Sequence, residues 1–270
     1  MTRMTFQEAH RRWVLWAVVL MGLAFVAIFA TGVWLVNREI SQYSAANEVF
    51  EMGDFFILAG LYAVNFLVVV LAALTSVDTI SGEIASGTIQ TLVTKPLQRW
   101  EVVVGKWLGL GLMLTLFAVG LAGSVVGTVW AITGYVPQNP VQGIALIALG
   151  GLVVLTLSIL GGTRLSTLPN GVIVLMAYSL AFIGGWIEQF GSFLGNQAAM
   201  NIGIVIRLMM PAEALWKRAA YLMEPPLLRA MGIHPLSAVN SPSPAMVGYT
   251  ALYVGVALLV AVRVFARRDL

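Results

Sequence analysis

The stretch VVVGKWLGLGLMLTLFAVGLAGSVVGTVWAI, residues 102–132, carries one charged side chain, Lys106. A helix needs about 20 mostly apolar residues to cross a bilayer, because each residue advances it by roughly 1.5 Å through an apolar layer about 30 Å thick. The stretch is long enough, and it is continuously apolar rather than alternating as a strand of a membrane barrel would be. We therefore expect a transmembrane helix here.

Five further runs of the chain meet the same requirement. The composition agrees, since 59% of the residues are hydrophobic and 10% are charged, against about one quarter charged in soluble domains; the mean hydropathy is +0.90. The sequence predicts an all-α, polytopic membrane helical bundle that forms a single transmembrane domain over residues 1–270. The six expected spans cover residues 13–36, 55–75, 102–132, 141–160, 171–187 and 245–265, of which the fifth is the shortest.

The charges at the ends of the spans indicate the topology. Basic residues precede the first span and stand at the carboxyl end of the last, namely Arg3, Arg11 and Arg12, and Arg263, Arg267 and Arg268. The first connecting loop is instead mainly acidic, with Glu39, Glu48, Glu51 and Asp54. Because cytoplasmic loops collect lysine and arginine, we expect both termini in the cytoplasm. We place this multi-pass chain in the plasma (inner) membrane of a prokaryote.

Amphipathic pieces accompany the expected spans. Residues 5–12 are polar and basic, and they predict an amino-terminal interfacial elbow helix. In the long outer loop, 188–244, Pro211 separates an apolar piece too short to cross from an amphipathic piece at 212–223, which carries Glu213 and Lys217 on its polar face. We expect short outer-face helices that dip into or lie on the outer leaflet; the alternative is an ordinary helix packed on the core of the loop.

One polar segment, EIASGTIQTLVTKPLQRWEVVVGK at residues 83–106, interrupts the apolar sequence between the second and third spans. With residues placed 100° apart, Ile84, Ile89 and Leu92 fall on one half of a helix, and Glu83 and Gln90 on the other. Pro96 ends that helix and turns the chain. Such a helix can lie flat on the bundle with one face free for a soluble partner; the alternative is a connector that serves only itself.

The residues of this segment resemble those of the membrane subunits of type-2 ABC transporters, which are usually exporters. That family commonly carries an acidic residue followed by Gly-Thr, an apolar helical stretch, a proline followed by arginine, and a Gly-Lys pair that opens the third span. Six spans, an elbow and a re-entrant-looking region before the last span extend the resemblance over the whole chain. The matching residues are Glu83, Gly87 with Thr88, 89–93, Pro96, Arg99, and Gly105 with Lys106.

The resemblance implies that residues 83–101 form a coupling helix, between spans two and three, against a cytoplasmic ABC ATPase subunit, and that the transporter contains two such subunits. It also implies a second permease copy or paralogue and surrounding membrane lipids as partners, and no nucleic acid. Lys106 would either contact the ATPase or reach to lipid headgroups. The expected ATPase contacts are Glu83, Gly87, Thr88, Gln90, Thr91, Pro96, Arg99 and Lys106.

The chain encodes no phosphate-binding loop of its own. Its Gly105–Lys106 pair is followed by Trp107 instead of serine or threonine and lacks the upstream glycine. We therefore expect ATP and Mg²⁺ on the partner subunit, and no catalytic, cofactor or metal-binding residue here. A secondary transporter or channel is the main alternative, weakened by the scarcity of ionisable residues within the expected spans. An intramembrane enzyme is disfavoured because cysteine is absent and His10 and His234 lie outside the spans.

Glycine pairs four residues apart recur in the third expected span. They are Gly105 with Gly109 and Gly123 with Gly127. Such pairs allow close helix approach in membranes. We favour packing within the chain over a seam between two copies.

Overall fold

The computed structural model describes residues 13–43, 46–82, 98–225 and 242–267. These parts of the chain contain eight helices and no strand. Six of the helices, α1 to α5 and α8, are long and apolar enough to cross a membrane, which confirms the expected all-helical membrane bundle. The bounds are α1 Trp13–Tyr43, α2 Ala46–Ser76, α3 Arg99–Thr133, α4 Pro140–Gly162, α5 Thr167–Phe193, α6 Gln197–Met209, α7 Ala212–Met223 and α8 Ala245–Ala266.

Helix α4 lies at the centre of the bundle. Of its most apolar window 67% is buried, against 11% for α1, and it packs against α2, α3, α7 and α8. A side chain at Gly151 would bring its Cβ within 2.6 Å of Val68 and 3.0 Å of Leu114. Glycine at this point therefore lets α2 and α3 close on α4.

The fifth span is longer than the sequence predicted. Instead of residues 171–187, α5 covers Thr167–Phe193. Polar residues bound the apolar run, but each has a partner inside the bundle: Asn170 Nδ2 donates to the carbonyl oxygen of Ser158, 2.8 Å away, and Glu188 forms an ion pair with Arg207. Because both polar side chains have partners inside the bundle, the helix continues through them.

Helices α6 and α7 form a sharply bent pair before the last span. Their axes turn by 109° at the break between Met209 and Ala212. Helix α6 runs along α5 and leaves Ile202, Val205 and Met209 more than half exposed. This exposed apolar face is consistent with a helix that dips into the membrane.

Of the two expected placements for α7, dipping into the outer leaflet or lying on it, the second is wrong. Its apolar face is covered by α4, where Met223 packs so closely over Gly143 that a Cβ there would lie 2.4 Å from the sulfur. Its polar face is also covered, since Glu213 is only 3% exposed and Lys217 Nζ donates to the carbonyl oxygen of Gly185 in α5, 2.7 Å away. The helix therefore packs on the spans themselves, which also differs from the alternative of a loop with its own core.

Two of the expected amphipathic elements cannot be compared with the structure. The elbow at residues 5–12 and most of the segment at 83–101 lie outside the described residues, as do residues 226–241 of the outer loop.

Candidate functional site

The chain that enters the segment at 83–97 is held firmly against the bundle. After α2 ends, Ser81 Oγ lies 3.0 Å from Thr167 Oγ1, and Thr167 Oγ1 donates to Asp78 Oδ1, also 3.0 Å away. Thr167 is the first residue of α5. The turn at residues 77–82 is thereby bound to the start of the fifth span.

The chain that leaves the segment is held just as closely. Helix α3 begins with Gln98 as its N-cap residue, whose backbone N–H donates to Glu101 Oε2 at 3.0 Å. Two turns later, Lys106 Nζ donates to the carbonyl oxygen of Thr79, 2.6 Å away. The entry and exit of the segment are therefore connected to each other by a hydrogen bond inside the protein.

The structure places Lys106 in the interior, where only 6% of its surface is exposed. Neither of the roles expected for it, a contact with an ATPase or a reach to lipid headgroups, agrees with that burial. A buried ammonium group is tolerated only when it is hydrogen-bonded, and the Thr79 carbonyl supplies such a bond. We assign Lys106 to the connection between α3 and the turn after α2.

The remaining expected ATPase contacts stay predictions. Arg99 is the first residue of α3, and its side chain is not among those described. The others lie outside the described residues, namely Glu83, Gly87, Thr88, Gln90, Thr91 and Pro96.

The two glycine pairs of α3 differ in their surroundings. Gly105 and Gly109 are buried. A Cβ at Gly123 or Gly127 would meet no atom within 4 Å, so these two do not bring α3 close to another described helix of the same chain. For this second pair the structure does not support packing within the chain.

Close approach instead occurs between α5 and α6, at glycines that belong to neither of the predicted pairs. A Cβ at Gly203 would lie 2.5 Å from the carbonyl oxygen of Gly184 and 2.6 Å from the backbone nitrogen of Glu188. A Cβ at Gly191 would lie 2.8 Å from the backbone nitrogen of Met200. These contacts involve backbone atoms, which cannot move aside as a flexible side chain can.

Where α5, α6 and α7 meet, the structure gathers four ionisable side chains. Arg207 Nη1 of α6 donates to Glu188 Oε2 of α5, and both residues are buried. Glu213 and Lys217 of α7 lie beside the Gly185 backbone. A Cβ added at Gly185 would lie 3.1 Å from Glu213 Oε1. We call these four residues the charge cluster.

The charge cluster is matched in formal charge but not fully hydrogen-bonded. It contains two carboxylates and two cationic groups, which explains how it can be buried. Arg207 Nε and Nη2 and Glu213 Oε2 are buried and have no hydrogen-bond partner among the described residues. Since buried polar atoms are usually paired, these atoms mark a place where a hydrogen-bonding group such as water is needed.

The charge cluster is distant from the coupling end of the molecule. Glu188 lies 21 residues along α5 from Thr167, which corresponds to roughly 31 Å of helix. Helix α5 thus has polar contacts at both ends, with the turn after α2 at one end and with α6 and α7 at the other.

The sequence predicted that ionisable residues are scarce within the spans, and the structure corrects this prediction. Asp54, Lys106 and Glu188 are all buried within helices that qualify as spans. Each is paired: Tyr135 Oη donates to Asp54 Oδ1 at 2.9 Å, and the other two have the contacts given above. Residues 188–218 contain five ionisable side chains of both signs among apolar residues, and this mixture is the signal that could have indicated the charge cluster.

Comparison with known protein families supplies an independent finding. Residues 4–270 match the family model described as ABC-2 family transporter protein. The comparison with curated proteins found no match.

Proposed function

The chain belongs to the ABC-2 transporter family, and we propose that it is the membrane subunit of an ATP-driven exporter with two separate cytoplasmic ATPase subunits. That it is a multi-pass membrane permease of an ABC transporter follows from the family and from the six candidate spans. The export direction and the two ATPases are the proposed part.

In this proposal, residues 83–101 bind the ATPase and pass its motion to the bundle. The observation that carries this is the bond from Lys106 to the Thr79 carbonyl. It joins the two spans on either side of the segment, so a displacement of the segment moves α2 and α3 together. Motion imposed by the binding of a partner can then reach the bundle as a rigid-body shift.

Helix α5 provides a route to the far end of the bundle. Its first residue is bonded to Ser81 and Asp78, and its last turns are paired with α6 through Glu188 and Arg207. A movement of the turn after α2 would therefore carry the bent pair α6–α7 with it. We propose that this pair forms the outer gate, through which cargo leaves by alternating access or lateral extrusion.

A single chain supplies half of the pathway in this proposal, and a second permease copy or paralogue supplies the rest. ATP and Mg²⁺ are held by the ATPase subunits. Both termini and the segment at 83–101 face the cytoplasm of a prokaryote, which agrees with the basic residues near the coupling end. Of these, Arg164 follows α4, and Arg263 and Arg267 stand at the end of α8.

Coupling with an ATPase is tested by purifying the tagged chain from its own cells in mild detergent. We expect an ABC ATPase to co-purify, together with vanadate-sensitive ATP hydrolysis. The charge reversals Glu83→Lys and Arg99→Glu should lower the amount of recovered ATPase several-fold while membrane insertion is unchanged.

The matched control is Arg38→Glu, which reverses one exposed charge near the carboxyl end of α1. In the proposed topology this end lies across the membrane from residues 83–101. It should leave ATPase recovery unchanged. Purification of the stably inserted chain without any ATPase would contradict the proposed function, and equal recovery with all three variants would reject Glu83 and Arg99 as contacts.

A further inference from the structure

One strip of α8 is apolar and exposed along its length and ends in two arginines. Leu252, Val256 and Leu259 are 67%, 50% and 63% exposed. Arg263 and Arg267 continue the same spacing, and at 3.6 residues per turn all five lie within about 80° of one another. We call the three apolar residues the α8 strip.

The two arginines share a groove with a third, from the turn that follows α4. A cavity of about 570 Å³ is lined by Thr163, Arg164, Arg263, Val264 and Arg267. Arg164 belongs to the turn that follows α4. Within the part of the chain that the structure describes, none of the three guanidinium groups has a hydrogen bond or an ion pair. We call this cavity the arginine groove.

We propose that the arginine groove binds the phosphate of an anionic phospholipid, whose acyl chains lie along the α8 strip. A guanidinium presents parallel N–H donors that match two phosphate oxygens. Three such groups around one cavity concentrate positive charge where a headgroup would sit. Basic pockets between transmembrane helices bind anionic headgroups by this chemistry.

The α8 strip favours a phospholipid over a free phosphate ion as the occupant of the arginine groove. A free ion would use the guanidinium groups alone and would leave Leu252, Val256 and Leu259 uncovered. A phospholipid uses both parts, because its headgroup and acyl chains are joined in the same order as the groove and the strip. The aliphatic stems of Arg263 and Arg267 can lie along the upper acyl chain while their charged ends stay in the groove.

The arginine groove opens at the coupling end of the bundle. Gly162, which precedes the groove-lining Thr163, packs beside the turn after α2, where its Cβ would lie 3.7 Å from Ile80. The lipid site does not depend on the ATPase proposal, because it requires only that the chain be embedded in a membrane.

The experiment titrates the purified full-length chain with phosphatidylglycerol or phosphatidylcholine of identical acyl chains and counts bound lipids by native mass spectrometry. We expect phosphatidylglycerol to bind at least tenfold more tightly. Each of Arg164→Gln, Arg263→Gln and Arg267→Gln should weaken phosphatidylglycerol on the order of fivefold, the effect of one basic residue near an anionic surface. The triple variant should bind the two lipids equally.

Phosphatidylcholine binding is the internal reference for folding, and it should not change in any variant. The matched control is Arg218→Gln, which removes an arginine that donates to the carbonyl oxygen of Pro242 and does not line the groove. It should keep the full preference for phosphatidylglycerol. A preference retained by the triple variant would overturn the proposal.

Two further measurements exclude other occupants. Inorganic phosphate should not displace phosphatidylglycerol at equal concentration; if it does, the groove is a phosphate site and the lipid assignment is wrong. The chain has no cysteine, so a single Leu259→Cys can be cross-linked with a short bifunctional reagent. Efficient cross-linking between two chains would show that a second copy covers the α8 strip, and would also overturn the proposal.

Discussion

Arg207 of α6 donates a hydrogen bond to Glu188 of α5, and both side chains are buried. Removing one partner leaves a buried charge without its counterpart, which commonly costs about 3–5 kcal/mol. We therefore expect Glu188→Leu and Arg207→Met each to lower the unfolding temperature of the purified chain strongly. The double variant should recover much of that loss, because it leaves neither charge uncompensated.

A thermal unfolding series in detergent checks this double-mutant cycle. Ser179→Ala is the control, since that hydroxyl is exposed and donates within its own helix, to the carbonyl oxygen of Leu175. Additive losses in the double variant would mean that the ion pair does not hold α6 to α5.

Lys106 Nζ donates to the backbone carbonyl oxygen of Thr79. Stability and coupling should therefore depend on the lysine side chain and not on the threonine side chain. Lys106→Met leaves the buried Thr79 carbonyl without its donor, so we expect a loss of about 1–3 kcal/mol in stability. We also expect less ATP hydrolysis stimulated by the permease at unchanged ATPase recovery, because α3 then loses its hydrogen bond to the turn after α2.

Thr79→Ala is the matched control. It removes only the hydroxyl, which donates to the carbonyl oxygen of Thr75, and it keeps the acceptor of Lys106. Equal losses in Lys106→Met and Thr79→Ala, measured by unfolding and by ATPase assay, would contradict the assigned connection.

Two glycine-to-alanine changes should act in opposite directions. At Gly203 the added Cβ meets backbone atoms of α5 at 2.5 and 2.6 Å, so we expect α6 to be displaced and the chain to lose several kcal/mol, about as much as a severe core substitution. At Gly123 the added Cβ meets nothing within 4 Å. There alanine should be neutral or stabilise the helix by up to about 1 kcal/mol.

The measurement is unfolding of each variant together with its oligomeric state by light scattering. If Gly123→Ala leaves the chain folded but lowers its association, the Gly123–Gly127 pair is a seam between copies, the alternative left open by the sequence. Equal destabilisation by both substitutions would contradict the packing described for α5 and α6.

Tyr135 anchors the loop after α3 to the start of α2. Its hydroxyl donates to Asp54 Oδ1 at 2.9 Å, and its ring covers Gly53, where a Cβ would lie 2.8 Å from the tyrosine Cβ. We expect Tyr135→Phe to cost about 1–3 kcal/mol, because it leaves a buried carboxylate oxygen without this donor. Asp54→Asn, which retains an acceptor oxygen, should cost less.

The contribution of Tyr135 to the stability of the folded chain should also depend on pH. Burial, and then the charge of Asp54, raise the pKa of the Tyr135 hydroxyl above its usual 10.0. Because the unfolded chain then loses this proton first, the stabilisation is complete below pH 10 and declines as the pH rises further. The stability difference between wild type and Tyr135→Phe should be constant from pH 6 to about pH 9 and shrink above pH 10. A difference that changes below pH 9 would contradict this assignment.

The positions of the spans were predictable because an apolar run long enough to cross a membrane has few other stable states. Three of the six runs, 102–132, 141–160 and 245–265, agree with the observed helices to within three residues at each end. Helix α1 continues seven residues past its apolar run, and α2 begins nine residues before its own. The length of the fifth run was underestimated at both ends, because a search for a continuous apolar run stops at the polar residues Asn170 and Glu188. Their partners, Ser158 and Arg207, are 12 and 19 residues away, and no local window contains that information.

The sequence by itself determined the class of the molecule, the number of spans and the family motif between α2 and α3. These features depend on local composition and spacing, which do not depend on contacts with distant residues. Only the tertiary structure decided that Lys106 is an internal donor and that Glu213 and Lys217 face the bundle. It also decided that the arginine after α4 and the two arginines at the end of α8 share one groove. Whether a charged side chain is solvated or paired depends on which distant residues the fold brings beside it, and that is settled by packing.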